Sequence, residues 1–492
     1  GHKEKKAHGV SDALIDYVLE TAGIGFDGID AVALSNYDRY SVSDALFAVV
    51  GGERFMQATY DVVWDDDVLK LDVHIRGKVI QGYAPAHHMT HCAAAYYTSP
   101  FPSASCVSMD ASGGRVASNG IAARGEGNRL SAITGPKCMI GFAYGQFCER
   151  LGLGPQIYKA GSLMALAGYG KVLDRVRRDI GRHVSDSFFE DGGDYREWAD
   201  SLWDELSSRE RFAEADRDCK EARDIAASIQ FLFEECAYEW SCQVPGNICL
   251  GGGSFLNCNA NSAIADRGGV KVHLFPACSD DGCGVGAALY VAHHLMNEPR
   301  AKYKDHEIAL LGKKYPREQP DVSFVARQLR AGKIVAWVNG RSEFGPRALG
   351  SRSILADPRN FHNREKINFL LKKREWWRPL APSVLEDDAG YFKLEGKSPF
   401  MLRTSPVWVP NYFPAVTHID GTARPQTVGN DWDADYRALL EEFKRLTSTP
   451  MLLNTSLNMP GEPILETEAD ALEFWEKVPV DMMVVNGVIH QR

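Results

Sequence analysis

His87 and His91 stand four residues apart in Ala86-His-His-Met-Thr-His-Cys-Ala-Ala-Ala-Tyr-Tyr97. In a helix that spacing puts two side chains on one face, with Cβ atoms about 5–6 Å apart. Two imidazoles so placed can hold one metal ion. The plainer reading of an isolated pair is two helix histidines bonded to backbone or water. His88 lies about 100° further round the helix and reads as structural or supporting. Further donors come from Phe275-Pro-Ala-Cys-Ser-Asp280-Asp281-Gly-Cys-Gly. An aspartate in a strand-to-helix turn, just before Gly284-Val-Gly-Ala-Ala288, can aim its carboxylate into a cleft. Two histidines and one carboxylate with open positions suit iron(II) or a related divalent ion that also touches substrate oxygens. Taken alone, Asp280 and Asp281 read more simply as helix-capping residues.

Two glycine turns add a second kind of chemistry. Asp110-Ala-Ser112-Gly113-Gly114 and Gly251-Gly252-Gly253-Ser254 both follow strand-like runs. Glycine lets backbone N–H groups approach phosphate oxygens, and an acid nearby can hold a cation or its water shell. Such turns are commonplace singly. A third signal is charge. Between Arg341 and Arg378 stand ten basic residues (341, 347, 352, 359, 364, 366, 372, 373, 374, 378) against four acids (343, 357, 365, 375), a local +6 in a chain of net −10. Arginines grip phosphate and carboxyl groups in planar, bidentate fashion. A solvated basic surface is the simpler explanation of a charge run. Here Glu343-Phe-Gly-Pro-Arg-Ala-Leu-Gly350 and Trp376-Trp-Arg-Pro-Leu-Ala-Pro382 interleave cations with aromatics, Pro and Gly, as a pocket wall does. His418-Ile-Asp420-Gly-Thr-Ala-Arg424-Pro-Gln426 and Leu453-Asn454-Thr-Ser456-Leu-Asn458 add polar groups amid apolar ones, which bind a ligand or one another.

The elements that carry these groups alternate strand and helix. Ser11 is placed to cap a helix bearing Leu14, Ile15, Val18, Leu19 and Ala22, closed by Gly23. Short strands are expected at Ala31–Leu34, Cys106–Met109, Asn247–Leu250, Ile334–Val338 and Met451–Leu453. Helices are expected through Ile225, Ile229, Leu232, Phe233, Cys236 and Trp240, and through Leu439 to Leu446. Another opens at Thr467 with Asp470 three residues on, a capping-box pattern. The alternation predicts an α/β architecture. Residues 172–220 read as helical surface excursions, and a boundary is expected near residues 298–320, giving modules 1–305 and 306–492.

Composition bounds the rest. A chain of 492 residues is too long for one core, and 45% hydrophobic with 24% charged residues is globular, not disordered. A net charge of −10 disfavours a nucleic-acid partner, which needs a basic face. No apolar run approaches 18 residues and no leader-like triplet opens the chain, so no membrane partner is expected. Eleven cysteines without a C-x-x-C pair fit a reduced, cytoplasmic setting.

On these strings the chain resembles the O-carbamoyltransferases of nodulation-factor and antibiotic biosynthesis. HHMTH, SDDG followed by GAAL, GGGSFLNCNAN, EFGPRALGSRSILADPR, KKREWWRPLAPSV, SPFML, THIDGTARPQTV and LNTSLNMPGEPI run in family order from residue 87 to 464. The resemblance implies an actin/sugar-kinase-like N-terminal module of the threonylcarbamoyl-transfer type, joined to a YrdC-like module that forms carbamoyl adenylate. It implies that carbamoyl phosphate and ATP with Mg2+ react in the C-terminal module, and that the carbamoyl group then passes to a hydroxyl of a small natural-product acceptor at a metal in the N-terminal one. A fused tRNA threonylcarbamoyl-transfer-like enzyme is the alternative, disfavoured by the acidic balance. Carried onto this sequence, His87, His91 and Asp280 are the implied metal ligands. Asp110, Ser112, Gly113 and Gly251 to Gly253 would line a nucleotide. Arg347, Lys373, Arg424 and Ser456 would be catalytic, gripping donor and ATP phosphates, with Arg352, Arg378, His418, Asn454 and Asn458 beside them. The family's K-x-R and S-x-N elements would be Lys373 with Arg374 or Arg378, and Ser456 with Asn458. The family's opening hairpin, with its H-D-x-S-A-type loop, has no counterpart in this sequence and is expected to be missing from the chain as given, because an actin-like sheet without it exposes a buried edge. No residue is assigned as general base for the acceptor hydroxyl.

Overall fold

A computed structural model describes residues 12–35, 68–110, 120–133, 137–189 and 195–492, with short backbone pieces at 49–50, 53–54 and 64–65. Ser11, Ser112 and Gly113 lie outside the described residues. The chain divides into two compact units. One comprises residues 1–137, 244–254 and 273–302; the other comprises 138–243, 255–272 and 303–492. They differ from the two contiguous modules expected above, because the chain passes repeatedly from one unit to the other. Both are mixed α/β.

In the first unit, Val68–Ile75 and Lys78–Pro85 form an antiparallel hairpin with Ile75 opposite Lys78. Its two-residue turn, Arg76-Gly77, has φ of 50° and 76°. Two consecutive left-handed residues are what a tight hairpin needs to match strand twist. Val32–Ala33 adds in parallel beside Gly82 and Tyr83. Leu69, Val73 and Ile75 recur on one face and pack with Ala84 against Ile15, Phe26, Val32 and Leu34. The helix Asp12–Ala22 has the expected place, but Val18 stays 55% exposed; among the described side chains of this helix, Ile15 packs against that small cluster. One further hairpin stands in this stretch, Val49–Val50 paired with Glu53–Arg54.

The unit's second sheet has the order Val272–Leu274, Ile248–Gly251, Ser103–Ser108, Ala122–Glu126, Arg129–Ile133. Its central pair is parallel, with Cys249 opposite Cys106. Against it lies the helix His87–Tyr97, where every residue except His87 is buried. A run of small residues, Ala93 to Ala95, allows a helix to be covered on all sides. Met89, Cys92, Ala93, Tyr96 and Tyr97 pack with Ala104, Cys106, Ala123, Leu130, Cys249 and Tyr290. The helix Cys283–Leu289 crosses it so closely that a Cβ on Gly286 would run into the carbonyl oxygen of Thr90. Gly286→Val is therefore expected to destabilise this unit by about 1–3 kcal/mol through overpacking, read as a lower denaturant midpoint. It should also weaken divalent-ion binding, because the same crossing brings Cys283 to the histidines.

The second unit contains a seven-stranded mixed sheet in the order Gln426–Val428, Ala381–Leu385, Met451–Ser456, Arg352–Ala356, Val335–Val338, Met482–Val485, Val488–Gln491. Val335–Val338 is parallel to Met482–Val485 and antiparallel to Arg352–Ala356. Five strands, Val335–Val338, Arg352–Ala356, Ala381–Leu385, Gln426–Val428 and Met482–Val485, are buried at every residue. The helix Ala434–Thr447 starts on the Asp433 side chain, which accepts from the Tyr436 N–H at 3.1 Å. Thr467 and Asp470 make the expected reciprocal capping box before Glu468–Lys477. Also in this unit is the 23-residue helix Lys220–Cys242, burying Ile225, Ile229, Leu232, Phe233, Cys236 and Trp240 as their spacing predicts. No helix among the described residues is long and apolar enough to cross a membrane.

Candidate functional site

The covered helix of the first unit makes His91 a buried polar side chain, 2% exposed, which is costly without partners. The partners converge on one nitrogen. His91 Nε2 lies 3.2 Å from His87 Nε2, 3.5 Å from Asp280 Oδ1 and 3.4 Å from Asp110 Oδ2. His87 Nε2 is 3.6 Å from Asp280 Oδ1 and 3.8 Å from Asp110 Oδ2. So His87, His91 and Asp280 meet at a common point. Cys283 joins them: one ligand atom from each of the four lies within 4.8 Å of all the others. A histidine pair, one buried and one partly buried, facing carboxylates and a sulfur fits the donor set of a divalent ion. Sequence reasoning passed over Cys283, although it stands one helical turn after Asp280, at the start of Cys283–Leu289.

The electrostatics agree with that fit. Burial pulls His87 and His91 down, but Asp110 and Cys283 outweigh it. They push His87 up to about 9 and His91 well above its ordinary value, Asp280 also helping the latter. Burial raises the Cys283 thiol, yet the two imidazoles bring it down to about 7. The site thus favours positive charge among its donors. A metal must displace those protons, since only neutral imidazole ligates. Affinity for a divalent ion is therefore expected to rise from pH 7 towards about 9, with proton release on binding. Calorimetry in buffers of different ionisation enthalpy checks this; a flat pH profile would contradict it.

Asp110, expected beside a nucleotide, belongs to the histidine cluster instead. The glycine turn is also built around the cluster: a Cβ on Gly251 would lie 2.6 Å from the His91 carbonyl oxygen, and one on Gly253 would lie 2.9 Å from Asp110 Oδ1. Gly252 needs its φ of 97°, and its N–H bonds the Cys278 carbonyl at 2.7 Å. That amide is thus committed to the protein, not to a phosphate cradle.

In the second unit the lysine that reaches Ser456 and Asn458 is Lys372, the neighbour of the expected Lys373. Lys372, only 6% exposed, donates to Ser456 Oγ at 3.1 Å and to the Asn458 carbonyl at 3.1 Å, and also reaches the Ser456 carbonyl and Asn458 Oδ1. Ser456 Oγ donates to Asn458 Oδ1 at 2.7 Å. Lys373 is exposed, because its φ of 42° turns the chain just after the Ile367–Leu371 segment. Arg352, expected beside the phosphates, is buried in its strand and donates to the carbonyls of Gly340, Ser351 and Glu466. Asn454, 1% exposed, donates into a sheet-interior network with Ala348, Ser383, Gln426 and Tyr436. His418 lies between the Ala165 carbonyl at 3.1 Å and Asp420 at 3.3 Å, a packing role. Against the cost of burial, this contact holds the Asp420 carboxyl down at about 2. Arg347 donates to the Leu256 carbonyl at 3.3 Å.

The remaining cations form a cluster. Arg378 donates to Ser162 Oγ at 2.7 Å, Arg374 donates to Asn368 Oδ1 at 2.8 Å, and Lys159 pairs with Glu375 at 2.6 Å. Burial first pushes Arg374 and Arg378 downward, with repulsion from Arg424 on both and from Arg378 and Arg364 on Arg374, while Glu375 opposes the shift in each. A guanidinium keeps its proton in proteins, so two cations stay charged where burial disfavours charge, a place where an anion would stabilise them. Glu375, the acid among them, is already paired with Lys159. Among the described residues, Arg424 Nε is buried without a hydrogen-bond partner.

Comparison with known proteins follows the two halves of the chain. Residues 3–289 match the carbamoyltransferase N-terminus and residues 326–492 the carbamoyltransferase C-terminus. The chain belongs to the carbamoyltransferase family and is a transferase of that class. It is 32% identical to nodulation protein NolNO of Sinorhizobium fredii, over 96% of this chain and 73% of that protein. It is 30% identical to the 3'-hydroxymethylcephem-O-carbamoyltransferase of Streptomyces clavuligerus, over 74% of this chain and 71% of that one. A solved activator of 2-hydroxyisocaproyl-CoA dehydratase from Clostridium difficile aligns at 10% identity over 56% of this chain and 79% of that one; the TM-score of 0.25 carries no argument.

Proposed function

We propose that this carbamoyltransferase uses ATP with Mg2+ and carbamoyl phosphate to carbamoylate a hydroxyl of a small natural-product acceptor through carbamoyl adenylate. The observation that carries the reading is the pair of chemically distinct clusters, one cationic and one of metal-donor type. Water hydrolyses carbamoyl phosphate to carbamate and inorganic phosphate, and the carbamate oxygen then attacks the α-phosphorus of ATP and expels pyrophosphate. Two anions approach one another in that step, so converging cations are required. Lys372, held at Ser456 and Asn458, and Arg374, Arg378 and Arg424 are the groups suited to it. Carbamate decomposes in water, which favours adenylation in a dry site.

In the second step the acceptor oxygen attacks the carbamoyl carbon, the hydroxyl proton leaves, and AMP departs. His87, His91 and Asp280 would hold a divalent ion, which when bound supplies Lewis-acid stabilisation of developing negative charge. Asp110 Oδ2 faces the same Nε2 atoms as Asp280, so it would offer the ion a further oxygen donor or hold a water beside it. The sequence similarity to nodulation and cephem proteins supports an O-linked product, and the net charge of −10 disfavours tRNA. The test is carbamoyl-phosphate-dependent exchange of labelled pyrophosphate into ATP, which needs no acceptor. Exchange is expected; its absence, together with no AMP release when hydroxymethylcephem is offered, would refute adenylate formation.

A further inference from the structure

We infer that Cys283 is a thiolate ligand to the same ion, and that the ion is of the zinc class, not the iron(II) that two histidines and one carboxylate would suggest. The inference rests on the metal reading of this site. Cys283 Sγ lies 3.6 Å from His91 Nε2 and is fully buried. A tetrahedral ion with bonds of about 2.0–2.1 Å to nitrogen and about 2.3 Å to sulfur separates its donors by about 3.3 Å for N···N and about 3.5 Å for N···S. The donors here stand at 3.2 Å and 3.6 Å, with Asp280 Oδ1 at 3.5 and 3.6 Å from the two nitrogens. These spacings match four of the six edges of one small tetrahedron, and Cys283 Sγ also lies 3.6 Å from His91 Nδ1 and 3.9 Å from His87 Nδ1. They are too long for ordinary hydrogen bonds between most of the pairs.

The chemistry of the fourth donor then decides the metal. Thiolate is soft and selects zinc-like ions, whereas the two-histidine, one-carboxylate set with open positions is the iron(II) arrangement. Two of the four donors, His91 and Cys283, are buried, His87 is partly buried, and the Asp280 side chain is 59% exposed. A substrate oxygen can therefore approach from the Asp280 side without disturbing the sulfur and nitrogen donors. The Gly286–Thr90 crossing fixes the sulfur in place, since the glycine begins one turn after Cys283 on the same short helix.

The test uses the full chain, stripped with a chelator and titrated with cobalt(II). Wild type is expected to take up one cobalt with visible bands of a four-coordinate site and a near-ultraviolet sulfur-to-cobalt charge-transfer band. Cys283→Ser should keep the visible bands, lose the charge-transfer band, and bind zinc about 100-fold or more weakly, beyond the loss that changes behind the ligands cause. X-ray absorption of the zinc-loaded wild type, which needs no variant, should show one sulfur at about 2.3 Å. One cobalt bound without a sulfur band, or a band that survives in Cys283→Ser, overturns the inference while leaving the metal site standing. Failure to bind one cobalt or zinc per chain overturns both.

Discussion

Replacing Lys372 with alanine is expected to lower carbamoyl-phosphate-dependent pyrophosphate exchange by about 10²–10³-fold, the scale of losing one preorganised charge-stabilising donor. Its ammonium stands against four oxygens of Ser456 and Asn458 and is nearly excluded from water. Removing it leaves those oxygens clustered without a cation, in a place where anionic phosphates must settle. Lys372→Arg should not rescue it, because a planar fork cannot occupy the space of a compact ammonium between Ser456, the last residue of its strand, and Asn458 two residues on. Lys373→Ala, by contrast, should stay within about twofold of wild type, as surface changes do. The reverse outcome, with the exposed lysine essential and the buried one dispensable, would refute this placement of the cationic site.

His91→Ala is expected to separate the two half-reactions. Its Nε2 is the atom nearest all the other donors, so its loss should lower divalent-ion affinity by more than about 100-fold. Carbamoyl transfer should fall with it, while pyrophosphate exchange stays near wild type, because adenylation is assigned to groups of the other unit. Measuring both rates and the bound metal on the same preparation makes the comparison internal. Transfer that persists in a metal-free His91→Ala protein would sink the role given to the histidine cluster. Equal loss of both reactions would mean that the cluster serves adenylation too.

Much of this arrangement is legible in the residues because helix periodicity is a strong constraint. His87 and His91 must share a face once Ala86 to Tyr97 is helical, and Ile225 to Trp240 must form a buried stripe. Thr467 and Asp470 announce a helix start in three residues. What escaped is equally physical. Lys372 and Lys373 are adjacent, and no period chooses between them; a left-handed φ at Lys373 does. Arg352 and Asn454 sit in strands, where a polar residue can equally serve a ligand or an internal network, and only the buried carbonyls around them decide. Cys283 carried a usable signal, since a donor three residues after Asp280 falls on the same side of a starting helix. Reading the cysteines only as core residues hid it.

The threading of the chain through its two units has a practical consequence for anyone who would dissect it. His87 and His91 precede, and Asp280 and Cys283 follow, long stretches that fold into the other unit, residues 138–243 and 255–272. A fragment ending at residue 137 would therefore hold the imidazoles without the carboxylate and sulfur of 280–283. A gene cut at residue 305 would separate Ser162 from Arg378 and Lys159 from Glu375. No single scissile position yields two self-sufficient pieces, so split-gene complementation, not domain expression, is the format in which the halves can be studied apart.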